Sequence, residues 1–370
     1  MGVPQLHYIF IILLLVPVAI VLAAHRPEYG ISTSKQPQQY GDGDQQQQLL
    51  KPDFYDDACP QLFQIVHAVL QEALKQEPRM AASLLRLHFH DCFVNGCDGS
   101  NLLDDTRSFH GEKNAAPNRN SLRGFEVVDA VKAALEQECP LTVSCADILA
   151  IAARDSVVQS GGPWWAPLLG RRDSIDASAT EANQAVPAPT DSLDTLVAKF
   201  QRLGLSAKDA LTKWVNIVMH ACIVLGAHTM GRARCATFSN RLYNFQNMAS
   251  RRDPSLSSQY ANHLEKVCPT AQSNNLFMIS TLDPHTPDLF DNTYYQNLLR
   301  GEGLLQSDQE LFCSDSRYVN LYSQVSYYAR NNDAFFSDFA DSMVKMGNIL
   351  PLIGPSNGQI RKNCRFINTP

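Results

Sequence analysis

Met80-Ala-Ala-Ser-Leu-Leu-Arg-Leu-His-Phe-His-Asp-Cys92 places Arg86 and His90 four residues apart in a run of helix-forming residues. On a helix, positions i and i+4 project from one face. The stretch therefore predicts a helix that presents a permanent cation and a proton acceptor to whatever lies beneath it. Heterolysis of a peroxide needs that pair: a base to take a proton, and a fixed positive charge for the developing oxyanion. Alone, the spacing also fits an ordinary helix with a surface arginine and a core histidine.

A second histidine weighs between those readings. His228, in Leu225-Gly-Ala-His-Thr-Met-Gly231, is flanked by small residues that let a flat prosthetic group approach closely. A haem iron needs one axial nitrogen below and a reactive pocket above, and two histidines can divide those tasks. Further motifs follow along the chain: Leu85-Arg-Leu-His-Phe-His-Asp-Cys-Phe-Val-Asn-Gly-Cys-Asp-Gly-Ser100, Leu122-Arg-Gly-Phe125, Ser144-Cys-Ala-Asp-Ile-Leu149, Leu169-Gly-Arg-Arg-Asp173, Gly226-Ala-His-Thr229 and Ser307-Asp-Gln-Glu-Leu311. With these, in this order across residues 51–370, the chain resembles the class III secretory plant haem peroxidases.

The resemblance implies a mainly α, plant-type haem peroxidase fold, stapled by disulfides. A distal half (about 51–190 plus the C-terminal segment) and a proximal half (about 191–345) would enclose haem b. On the distal side, His90 takes and returns the peroxide proton, Arg86 stabilises the charge, Asn118 orients His90 and Phe89 walls the pocket. A neutral His90 must have its other ring nitrogen donating, which fixes the tautomer. His88, two positions away, faces nearly the opposite direction and reads as structural. On the proximal side, His228 is the axial ligand, and Asp308 accepts from its second nitrogen.

Two Ca²⁺ sites are implied. One takes Asp91, Asp98 and Ser100 with the carbonyls of Val94 and Gly96, and Glu112 connects it to Asn118. The other takes Thr229, Asp283, Thr286, the Leu289 carbonyl and Asp291. Alternating oxygen donors suit a hard cation. Asp147 and Arg171 match the family's structural ion pair. The family places a proline carbonyl for aromatic donors two residues before Gly170-Arg-Arg172; this chain has Leu168 there, and a backbone carbonyl survives the change. The implied disulfides are Cys59–Cys139, Cys92–Cys97, Cys145–Cys364 and Cys235–Cys268, leaving Cys222 and Cys313 over.

Composition agrees. The chain has 370 residues, ten cysteines and a formal charge of −6, without a basic block for nucleic acid. Residues 8–22 are almost wholly apolar and run into Val21-Leu-Ala-Ala24, which predicts a cleaved signal peptide over 1–24 and no stable membrane association. Residues 25–50 are rich in Gln, Pro, Gly and Ser and are expected to be disordered. Beyond them, apolar residues recur at helical spacing: Leu62, Ile65, Val66, Val69, Leu70; Phe125, Val128, Val131, Leu135; Leu193, Leu196, Phe200. Secretion permits disulfides, and no asparagine begins an Asn-x-Ser/Thr sequon. The expected protein is a secreted, extracellular (cell wall or apoplast) monomer that reduces hydrogen peroxide and oxidises small phenolic donors.

One departure stands out. Between Asp209 and His228 lie 228 − 209 = 19 positions, where the family has about eight. The extra residues, within 211–225, are strongly apolar and include Cys222. About eleven residues advance a helix by about three turns and lengthen it by roughly 16 Å. Either the stretch loops out or His228 is displaced. It also suits a gene-model artefact, intron sequence read as protein, which a transcript lacking these codons supports. The alternative function is a non-catalytic calcium-binding scaffold; a zinc hydrolase using His88 and His90 lacks a third ligand.

Overall fold

Helix α1 (Leu62–Gln76) buries Leu62, Val66, Leu70 and Leu74, one stripe at helical spacing. Helix α2 (Met80–Cys92) contains the Arg86–His90 run, as its spacing predicts. Helices α3 (Phe125–Glu138) and α4 (Cys145–Gln159) complete a four-helix group in which α2 lies against α4 and α1 packs on both α3 and α4. Residues Cys145 to Val157 of α4 are buried without interruption, which marks a central helix. Its start is fixed by Ser144, whose hydroxyl accepts the Asp147 N–H at 3.1 Å. Asp147 also places a carboxylate in the first turn, where the helix dipole favours it.

The computed structural model describes residues 50–107, 109–203, 221–269, 277–312 and 319–369. Helices α5 (Ala179–Ala185) and α6 (Leu193–Arg202) follow, each opened by a serine cap, Ser178 and Ser192. Then come α7 (Ser239–Tyr243), α8 (Ser258–Val267), α9 (Thr293–Leu299), α10 (Gln306–Gln309), α11 (Val319–Tyr328) and α12 (Asn332–Gly347). Among the described residues, the strands β1 (Arg232–Arg234) and β2 (Ile279–Thr281) form one short antiparallel ladder, with Ala233 opposite Ser280. The mainly α expectation holds.

The larger hydrophobic core runs through α1 to α4 and on to Phe290, Tyr294, Tyr295, Phe335 and Phe339. A smaller one gathers Phe238, Leu242, Leu256, Tyr260 and Leu264 around the buried Arg241–Asp253 pair. Residues 47–370 make one unit. The bonded cysteines are Cys59–Cys139, Cys92–Cys97, Cys145–Cys364 and Cys235–Cys268. The third ties α4 to the C-terminal segment across 219 residues. Cys222 is buried and unpaired, and Cys313 lies outside the described residues.

Two glycines seat the site-bearing elements. Gly124 has φ 93° just before α3, and a Cβ there would sit 2.9 Å from Leu84 of α2. A Cβ on Gly226 would meet the Tyr295 hydroxyl at 2.4 Å and Phe335 at 2.7 Å, so only glycine fits two residues before His228. The expected signal peptide (1–24) and nearly all of the Gln-rich segment (25–50) lie outside the described residues, as do 204–220. Among the described residues, no helix is long and apolar enough to cross a membrane.

Candidate active site

Helix α2 buries His90, whose Nδ1 lies 2.6 Å from Asn118 Oδ1. Asn118 in turn donates from Nδ2 to the Glu112 carbonyl at 3.0 Å. That bond fixes the amide, so Oδ1 is the acceptor and His90 Nδ1 carries the proton. The His90 Nε2 lone pair is left to act as a base. Burial, and then the Arg86 cation, push the imidazole well below its usual value, so it is neutral at rest. Phe89 meets the His90 ring edge-on, with centroids 5.7 Å apart, and leans on Phe93.

Arg86 stands one turn before His90. Its Nη2 donates to the Pro117 carbonyl at 3.0 Å and to Ser121 Oγ at 3.2 Å. Burial brings its pKa down to about 10, which still leaves a cation at neutral pH. Ser121 was not foreseeable from the sequence: its contact depends on the turn that follows Asn118. His88, by contrast, faces the Cys92 sulfur and the Arg171 charge, away from this pocket.

His228 sits on a 3₁₀ turn, Gly226–Thr229. Its Nδ1 lies 2.8 Å from Asp308 Oδ1, a carboxylate only 1% exposed. Asp308 is held by the Leu305 N–H at 3.3 Å and by the Tyr294 hydroxyl at 3.3 Å. The 3₁₀ turn follows residues 221–225, which are helical and buried in the core. The extra residues therefore do not part His228 from Asp308. A positive charge at His228 would act on His90, which puts the two rings within electrostatic reach of each other.

Beyond α2, Asp91 Oδ2 accepts the Gly99 N–H at 2.9 Å and Asp98 Oδ1 accepts the Ser100 N–H at 3.0 Å. Asp91 Oδ1, Ser100 Oγ and Glu112 Oε2 are buried and make no hydrogen bond. Burial, with the Asp98 charge beside it, holds the Asp91 carboxyl well above its usual value. Glu112 is raised for the same reasons, with Asp91 as its neighbour, and burial takes Asp98 to about 6. Buried carboxylates with unused oxygens are a donor set that a hard cation would satisfy. Val94 and Gly96 are buried in the same loop.

On the other side, Thr229 Oγ1 donates to Asp291 Oδ1 at 3.0 Å. Asp283 accepts the His285 and Thr286 N–H groups at 2.7 and 3.1 Å. Its carboxyl is raised by burial, and Asp291 adds to the effect. Leu289 lies in the same loop with its side chain about half exposed. Among the described residues, no cluster of three His, Cys, Asp or Glu forms a metal site by those types alone; hydroxyl and carbonyl oxygens make up the rest of these sets. The Leu168 carbonyl accepts from Arg171 Nη1 at 2.6 Å, which uses one of its two lone pairs.

Known proteins carry the same sequence pattern. Residues 66–331 match the family described as Peroxidase. Peroxidase 9 of Arabidopsis thaliana is 51% identical over 320 residues, 86% of this chain and 87% of that protein. Peroxidase 23 of the same plant is 48% identical over 319 residues, covering 86% and 87%. Peroxidase 72 is 47% identical over 329 residues, covering 89% and 91%.

Proposed function

The chain belongs to the peroxidase family, in its class III plant branch, and we propose that it is a secreted haem b enzyme with two Ca²⁺ ions that oxidises phenolic donors with hydrogen peroxide. The supporting observation is that both histidines have Nδ1 engaged, His90 by Asn118 and His228 by Asp308. That leaves both Nε2 atoms for chemistry. His228 Nε2 would hold the haem iron, and the Asp308 carboxylate would increase its electron donation. Haem, when bound, supplies the iron that holds peroxide and stores its two oxidising equivalents.

The other steps belong to this chain. His90 Nε2 takes the proton from the near peroxide oxygen and delivers it to the far one, which leaves as water. Arg86 faces the charge that develops as the O–O bond breaks. Phenolic donors each give one electron and one proton, so two phenols become two phenoxyl radicals per peroxide. The carbonyl of Leu168 is the candidate donor contact. Asp91, Asp98 and Ser100, with the Val94 and Gly96 carbonyls, would hold one Ca²⁺; Thr229, Asp283, Thr286, Asp291 and the Leu289 carbonyl would hold the other. The apoplast is the expected location, in keeping with four disulfides. A non-catalytic scaffold is not favoured, since Arg86, His90, Asn118, His228 and Asp308 are all present and the relatives are named peroxidases.

The test is the visible spectrum of the full chain refolded with haem and Ca²⁺. A Soret band that shifts on adding peroxide is the expected result; absence of bound haem overturns the reading. Calcium removal gives a second check. Without a cation, Asp91, Asp98 and Glu112 repel one another in a buried loop beside His90. Chelation is expected to lower the urea midpoint, since a ligand at 100 times its Kd contributes about 2.7 kcal/mol. Peroxide reactivity should fall with it, and both should return with added Ca²⁺. Unchanged unfolding after verified calcium loss would count against the sites.

A further inference from the structure

Tyr294 meets the ring of His228 edge-on, with centroids 6.3 Å apart. From there the tyrosines continue without a gap. Tyr294 and Tyr295 have centroids 5.1 Å apart, Tyr295 and Tyr328 5.1 Å, and Tyr328 and Tyr327 5.8 Å. All are contact separations for aromatic rings. Tyr294, Tyr295 and Tyr328 are at most 2% exposed, whereas Tyr327 is 49% exposed. The line thus begins beside the candidate axial histidine and ends in solvent.

Packing alone does not ask for this. Phe290, Phe335 and Phe339 fill the same core without hydroxyls. A buried phenol costs free energy unless its O–H is partnered. Here each buried hydroxyl has a partner: Asp308 for Tyr294 at 3.3 Å, the Cys222 carbonyl for Tyr295 at 3.2 Å, and Asp338 Oδ2 for Tyr328 at 2.7 Å. The last matters most. A phenol is far easier to oxidise when its proton has a nearby base to go to, and a carboxylate at hydrogen-bond distance is such a base.

We propose that Tyr294, Tyr295, Tyr328 and Tyr327 form a relay that carries oxidising equivalents from the His228 side of the haem pocket to a second oxidation site at Tyr327, which serves phenolic groups on chains too large to enter the pocket. The inference rests on the peroxidase reading, since hydrogen peroxide is the oxidant. Tyr328 loses one electron inward, and its phenolic proton moves to Asp338. Tyr327 refills Tyr328 with an electron, the proton returns from Asp338, and Tyr327 releases its own proton to water. A surface donor then gives Tyr327 one electron and one proton and leaves as a phenoxyl radical. Two such cycles supply the two electrons that, with two protons, turn one hydrogen peroxide into two waters. Burial, and the bond to Asp338, keep Tyr328 protonated at rest, so its oxidation is tied to that proton transfer.

The experiment uses the haem- and Ca²⁺-loaded full chain, its Tyr327→Phe variant and its Tyr328→Phe variant. Each receives peroxide with a nitroso spin trap, and peptide mass spectrometry locates the adduct. Rates are measured on free guaiacol and on guaiacol grafted to dextran. The expected results are an adduct on Tyr327 that Tyr328→Phe abolishes, and a loss of about tenfold on the grafted donor in either variant. Free guaiacol should change less than about twofold in both, which also shows that the variants fold. Wild type without a Tyr327 adduct overturns the relay while leaving the peroxidase reading intact. So does an adduct on Tyr327 with no effect of Tyr327→Phe on the grafted donor, which would make the tyrosines a drain and not a site. Wild type inactive on free guaiacol defeats the peroxidase reading and the relay together.

Discussion

Replacing His90 with alanine is expected to leave haem bound and to slow the reaction with hydrogen peroxide by about 10²–10⁴-fold, the usual contribution of a positioned acid–base group. His228, the proposed haem ligand, lies on a separate turn and is held by Asp308, so its position does not depend on α2. The lost group would be the proposed base for the first peroxide proton, while the Arg86 cation remains. Stopped-flow spectra at several peroxide concentrations measure the second-order rate constant directly. A loss smaller than about tenfold would remove His90 from the mechanism.

The pH profile carries the same argument. Only the neutral imidazole can accept the proton, and burial with the nearby Arg86 charge holds His90 well below the usual histidine value. The wild-type rate constant should therefore stay level as pH falls through the ordinary histidine range, and decline only at more acid pH. A decline centred on the ordinary histidine value would mean that His90 is more hydrated and farther from Arg86 than the structure places it.

How much of this was legible in the sequence depends on chain separation. The Arg86–His90 pair lies within one helix, and helical spacing alone predicts their shared face. The caps Ser144, Ser178 and Ser192 stand where helix starts want a hydroxyl. Asn118 is 28 residues from His90, and Asp308 is 80 from His228. No local period encodes such contacts, so they came from the resemblance. The line of tyrosines has no spacing signature in the sequence; only the fold reveals that Tyr295 touches both Tyr294 and Tyr328. The apolar stretch before His228 left displacement, a loop or a gene-model artefact open, and residues 211–220 of it lie outside the described residues. Its described end, 221–225, is packed in the core, with Tyr295 donating to the Cys222 carbonyl.

Removing the Arg171 side chain is expected to cost the fold more than any other single change considered. Its guanidinium, 2% exposed, donates to Asp147 Oδ1 at 2.6 Å, to the Leu168 carbonyl at 2.6 Å and to the Gly347 carbonyl at 2.6 and 3.0 Å. Asp147 Oδ2 accepts the Tyr55 hydroxyl at 2.8 Å and the Gly170 N–H at 2.7 Å. One ion pair thus joins the start of α4, the 168–171 segment, the end of α12 and the N-terminal Tyr55. Arg171→Leu leaves a buried carboxylate without its counter-charge and two carbonyls without donors, a change of about 3–5 kcal/mol. Urea unfolding at fixed haem and Ca²⁺ measures it, since bound ligands shift stability by mass action.

The sign of the pH dependence separates this account from a simple cavity. Burial already raises the Asp147 carboxyl, and Arg171 is the main influence that lowers it. Without Arg171 the folded-state value rises further above the unfolded one. The protonated fold is then favoured, and stability drains away as pH climbs from the ordinary carboxylate value through the raised one. The deficit of Arg171→Leu relative to wild type should therefore be smallest in acid and largest near neutrality. Replacing Asp147 with asparagine as well should recover part of the loss at neutral pH, because the uncompensated charge is gone. A deficit that does not vary with pH and is not relieved by the second change would mean that lost packing around Arg171, and not the buried charge, sets the cost.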